Sequence, residues 1–165
     1  MTDHYQEQQQ ARRKALRLLE HMDRTERGLA DRLKQAGFSE KAAEDAVSYV
    51  RELGYINDER YAFHYIMYRI HNKSRQKIFQ ELQQKGVDRQ TIQSAWKEAE
   101  ELETPDEHAL LVSLIEKKYP ADSELDEREM RRLMGYFARR GFRQGEISSA
   151  LEELNITFCK NIQTI

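Results

Sequence analysis

A chain of 165 residues with 34% charged residues, only 7 Gly and only 2 Pro is composed for an extended, mostly helical protein, which excludes a sandwich or barrel. No apolar run approaches the ~20 residues needed to cross a bilayer, so a membrane span is excluded too. The polar start MTDHYQEQQQ lacks the apolar stretch of a secretory signal and the lone Cys159 allows no intramolecular disulfide, so the expected location is the cytoplasm.

The net charge of -2 conceals a strong division along the chain. Residues 1–56 sum to 0, residues 57–97 to +4, residues 98–127 to -9 and residues 128–165 to +3. A polyanion is expected to favour the second and fourth segments and to avoid the third.

Residues 1–10 are expected as a flexible N-terminus or a helix extension. An apolar stripe follows at Ala15, Leu16, Leu18, Leu19 and Met22, then Thr25 as a cap, a second helix through Leu29 and Leu33 to Gly37, and a third from Ser39 through Ala43, Ala46, Val47, Val50 and Leu53. Gly54 suits a helix stop and Asn57 or Asp58 the next start. The next helix carries Tyr61, Ala62, Tyr65 and Ile66, pauses at Asn72 to Ser74, and gives way to Ile78, Phe79 and Leu82 before a stop at Gly86. Thr104-Pro105-Asp106-Glu107 reads as a cap, a first-position proline and a capping-box acid. Its helix carries Ala109, Leu110, Leu114 and Ile115 and ends before Tyr119-Pro120. The last helix is expected to end near Leu154, with 155–165 as a C-terminal tail.

Aligning Gly37, Gly86 and Gly141 exposes a repeat. Eight residues before them stand Leu29, Ile78 and Leu133; four before, Leu33, Leu82 and Phe137; one after, Phe38, Val87 and Phe142. Six after stand Ala43, Ile92 and Ile147; nine after, Ala46, Ala95 and Ala150; ten after, Val47, Trp96 and Leu151. The spacings are 49 and 55 residues, and the loop around Pro120 to Asp126 is the expected place for the extra ones. The expected fold is all-α: three tandem three-helix repeats, about nine helices, stacked into an elongated, curved body, with repeats at 11–56, 57–103 and 104–154.

Chemistry is sparse. There is no phosphate-cradling glycine loop, paired Cys set or nucleophile elbow, and His4, His21, His64, His71 and His108 include no i, i+4 pair, so no metal, cofactor or enzymatic activity is expected. Arg69, Lys73, Arg75 and Lys77 straddle the Asn72–Ser74 pause, and Arg139 and Arg140 precede Gly141; these six are the candidate contact residues, with Tyr68 beside them. A helix-turn-helix reading would start a recognition helix at Ser39, Asp88 or Arg143. The threefold recurrence favours a scaffold instead, and Glu40, Glu44 and Asp45, like Glu98, Glu100 and Glu101, would repel phosphate.

LGYINDERYA, IFQELQQKGV, RRLMGYFARRGF and EISSALEEL, in this order and spacing across residues 11–154, resemble the RecX family of bacterial recombination regulators. Ser74 stands where that family usually has Gly. The resemblance implies a protein that binds the RecA recombinase and its single-stranded DNA filament; a monomer is expected. The resemblance further implies inhibition of RecA's ATPase, strand-exchange and co-protease activities, while the acidic balance of this chain leaves only weak or indirect nucleic-acid contact expected. A DNA-binding repeat protein of helix-turn-helix type and a helical interaction scaffold stay open beside it.

Overall fold

Thr25, Ser39, Asn57, Ser74, Asp88 and Asp126 each turn a side-chain oxygen onto a backbone N–H three residues on, at 2.8–3.2 Å, and so satisfy donors that a helix start leaves orphaned. A computed structural model describes residues 2–104 and 106–159, which form nine α-helices and one short parallel ladder. These are α1 (Thr2–His21), α2 (Glu26–Gln35), α3 (Glu40–Glu52), α4 (Asp58–Arg69), α5 (Arg75–Gln84), α6 (Arg89–Leu102) and α7 (Glu107–Lys118), then β1 (Glu124–Leu125), α8 (Glu127–Arg139), α9 (Gln144–Glu153) and β2 (Thr157–Phe158). No helix among the described residues is long and apolar enough to cross a membrane.

The second helix of each repeat ends in the same way. The N–H of Phe38, Val87 and Phe142 returns to the carbonyl of Leu33, Leu82 and Phe137 at 3.1–3.2 Å, across a glycine with φ of +99°, +92° or +91°. Every residue of the six apolar columns is buried except Phe38, which is partly buried. Burying one such leucine, isoleucine or phenylalanine contributes about 1.5–3 kcal/mol relative to exposure.

Gly86 and Gly141 also sit where another chain segment passes closely. A Cβ on Gly86 would overlap the Arg27 side chain, and one on Gly141 would overlap Ser74 Oγ and Lys77 Cβ. The cause is a joint used twice. Thr25 Oγ1 caps α2 and donates to the Lys85 carbonyl at 2.6 Å, and Ser74 Oγ caps α5 and donates to the Gly141 carbonyl at 2.8 Å. Thr25 and Ser74, 3% and 2% exposed, are polar groups buried with their bonds made.

Contacts divide the chain into two units, residues 1–67 with 79–101 and residues 68–78 with 102–165, so the division passes through α4 and α5. In the first, α1 and α2 pack on α3 around Ala11, Ala15, Leu29, Leu33, Ala46 and Val50. Arg12 pairs with Asp45 across α1 and α3 at 2.9 Å. Asp58 Oδ1 accepts the Glu26 N–H at 2.9 Å, and burial pushes its carboxyl pKa up. In the second unit α7 and α8 pack on α9 around Leu111, Ile115, Leu133, Phe137 and Ile147.

Of the two readings of residues 1–10, a flexible terminus or a helix extension, the described residues follow the second: α1 begins at Thr2, and Glu7 accepts the Ser39 N–H at 2.7 Å. Other local expectations are corrected. The cap of α7 is Asp106, which accepts from His108 and Ala109, rather than Thr104; Pro105 lies outside the described residues. Met22 and Leu53, placed on apolar stripes, are 57% and 48% exposed. The six extra residues of the third repeat divide evenly. Three lengthen the loop, 119–125 against 70–73, and three lengthen α8 by almost a turn over α5. The tail is engaged at its start: Ile156 is buried, and β2 pairs in parallel with β1 through Thr157↔Glu124 and Phe158↔Leu125. Residues 160–165 lie outside the described residues.

Candidate functional site

Arg69 closes α4, and the turn after it carries Asn72, Lys73 and Ser74. That turn is held to the end of α8: the Ser74 N–H donates to the Arg140 carbonyl at 3.1 Å, and its hydroxyl to Gly141. Arg69, Lys73 and Arg140 are thereby brought together around one cavity of about 720 Å³. Its walls are Tyr68, Arg69, Asn72 and Lys73 from α4 and its turn, Leu114, Lys117 and Lys118 from α7, and Tyr136, Phe137 and Arg140 from α8. All of these lie in the second unit.

Five cations and no carboxylate line the cavity. Three helices, α4, α7 and α8, end at it, and each C-terminus contributes roughly half a negative elementary charge. Arg69, Lys118 and Arg140 stand at the three helix ends, which suits the sign of each end. The Tyr136 ring takes Lys118 Nζ at 3.6 Å and Arg140 Cζ at 3.5 Å from its centroid, which fixes both heads while leaving their charge uncancelled. Among the described residues Lys117, Lys118 and Arg140 make no ion pair. Tyr68 stands at the rim, 80% exposed.

The other three candidate residues do not line the cavity. Arg75 opens α5 with its N–H on Glu107 Oε1 at 2.5 Å, Lys77 lies two residues further beside Gly141, and Arg139 is exposed on α8. Lys117, Lys118 and Tyr136 belong to the site and were missed. The two lysines are the only cations of the -9 segment, so a sum over that segment hid them. The repeat register carried the signal: Arg69 and Lys118 each stand 32 residues after a repeat glycine, Gly37 or Gly86.

The helix-turn-helix reading loses support here. α1 packs along α3, Asp45 is engaged by Arg12, and Glu40 and Glu44 occupy exposed positions of α3. Replacing Ser74 by alanine removes a cap and the Gly141 bond together; we expect a loss of about 1–2 kcal/mol in urea unfolding, with threonine at this position retaining most of it. An unchanged midpoint would mean that the turn is held by other contacts.

Three family models match the chain, described as the first, second and third three-helix domains of RecX, over residues 11–49, 57–95 and 106–151. The chain is 36% identical to the regulatory protein RecX of Streptomyces lividans over 88% of its own length and 79% of that protein. It is 34% identical to the regulatory protein RecX of Caldanaerobacter subterraneus subsp. tengcongensis, over 93% of this chain and 73% of that one. Among solved structures, RecX from Lactobacillus salivarius shares the fold with a TM-score of 0.65 at 23% identity, covering 92% of this chain and 98% of that one. A second crystal structure of a regulatory protein RecX matches with a TM-score of 0.65 at 25% identity, over 90% and 71% of the two chains.

Proposed function

The chain belongs to the RecX family, and from that premise we propose that it is a non-enzymatic regulator that binds RecA and its filament on single-stranded DNA and restrains ATP hydrolysis, strand exchange and co-protease activity. It acts as a monomer in the cytoplasm and without a cofactor, through repeats at 11–56, 57–103 and 104–154. The cavity formed by Arg69, Lys73, Lys117, Lys118 and Arg140 meets the anionic surface of the filament.

The observation that carries this reading is the convergence of five cations, from three helix ends, on one concave surface free of carboxylates. A surface of that kind speeds encounter with a polyanion and makes the contact salt-dependent. Sedimentation of RecA filaments assembled on single-stranded DNA tests it: the chain is expected to pellet with the filament and to slow strand exchange. A chain that stays in the supernatant, with strand exchange unaffected, would refute the proposal.

A further inference from the structure

The solvent face of α8 is a line of arginines. At about 100° per residue, Arg128, Arg132 and Arg139 fall within about 40° of one another around the helix axis, roughly opposite the buried Leu133 and Phe137, and they span about 17 Å along it. All three are exposed, and among the described residues none of them makes an ion pair. Gly135 lies on the same face, between Arg132 and Arg139. The acids of this helix are engaged at its start, where Glu127 holds Arg131 at 2.6 Å and Glu129 closes the capping box with Asp126, and no acid follows them in α8.

The fold itself does not call for these residues. Arg128 stands in the first turn, where the positive end of the helix dipole disfavours a cation, and Gly135 stands in mid-helix, where glycine is less stable than alanine. Packing does not require the glycine either: a Cβ there would meet only the head of Arg139, 3.2 Å from Nη1. Two locally unfavourable choices on one helix face mark a surface shaped for something outside the chain.

The chemistry of the face selects the occupant. A protein interface is built on aromatic and large apolar anchors, whereas the arginines here have only Arg131, Gly135 and Ala138 beside them. A phosphate backbone needs cations alone, which arginine supplies as a fork of paired N–H groups, and the missing side chain at Gly135 lets such a backbone come close to the helix. This is not the side of α8 that serves the cavity, which carries Tyr136, Phe137 and Arg140.

We propose that the outer face of α8 binds the phosphate backbone of nucleic acid directly, through Arg128, Arg132 and Arg139 and across Gly135, without contacting bases. No aromatic ring stands on the face for a base to stack on, so single strand and duplex are both held. The contact needs no RecA, and it stands or falls apart from the regulation proposed above.

Fluorescence anisotropy of a labelled mixed-sequence oligonucleotide, as a single strand and as its duplex, tests this with the full chain and no RecA. Both forms are expected to bind at about 50 mM salt and to be released as salt rises. An Arg128→Ala, Arg132→Ala, Arg139→Ala variant should bind about tenfold or more weakly, with the slope of log K against log salt on the duplex shallower by about two to three. Lys34→Ala, Lys41→Ala, Lys97→Ala, which removes the same charge from exposed positions of the first unit, should bind as the wild type does. Gly135→Gln should weaken binding without lowering the thermal midpoint, as a structural role for the glycine would not allow. The proposal is overturned if neither form binds, if the arginine variant with an unchanged midpoint binds as the wild type does, or if only the single strand binds, which would mean that bases are contacted. An arginine variant silent on both oligonucleotides but weakened toward RecA free of DNA would overturn it in favour of a protein contact.

Discussion

Replacing Phe137 by alanine should remove about 3–5 kcal/mol of stability, the largest loss expected from a single substitution in this chain. The ring is fully buried, lies edge-on to Tyr136 at 4.9 Å and to Phe142 at 6.3 Å between centroids, and forms part of the cavity wall. Its carbonyl also receives the returning Phe142 N–H, so the side chain packs where the end of α8 is closed. Leu33 and Leu82 occupy the same column and are equally buried, and their truncation should cost about 2–5 kcal/mol. Urea midpoints at constant slope measure all three. Near-neutral values throughout would mean that the repeat register is wrong.

Reversing Lys73, Lys117 and Lys118 to glutamate should weaken association with the RecA filament by about 100-fold and flatten its salt dependence. The basis is location more than charge count. An equal reversal at Arg75, Lys77 and Arg139, which carry the same charge but do not line the cavity, should have a smaller effect. Filament binding measured across a salt series separates the two variants. Equal losses would mean that contact depends on overall charge and that the cavity has no special part.

The repeat was legible because its markers are local and recur. A glycine that closes a helix, an apolar residue just after it and the cap Thr25 are readable without knowing any neighbour, whereas Ser74, in the same register, was read only as part of a pause. What was not legible depends on distant contacts. Thr104 and Asp106 are both competent caps; Asp106 serves, while the capping-box acid Glu107 turns instead to the Arg75 N–H. Leu111 was passed over on α7 although it is fully buried, because Leu110 and Leu114 offered an equally good apolar stripe. The ladder of β1 and β2 joins two residues to two others across more than thirty positions, too short for any periodic signal.

The site was half legible for a related reason. Arg69, Lys73 and Arg140 stood out by density, but only the joint from Ser74 to the Arg140 and Gly141 carbonyls says that they meet. Lys117 and Lys118 were hidden by the eleven acids around them in the third segment, none of which lines the cavity. Ser74 itself supplies both a cap and a tether.

The central claim, restraint of RecA through the basic cavity, is tested most directly by titrating RecA ATP hydrolysis on single-stranded DNA with the wild type and with the Lys73→Glu, Lys117→Glu, Lys118→Glu variant. The account predicts that the wild type suppresses hydrolysis and that the variant, folded to the same thermal midpoint, needs about 100-fold more protein for the same suppression. Superimposable titration curves, or a wild type without effect on hydrolysis, would contradict it.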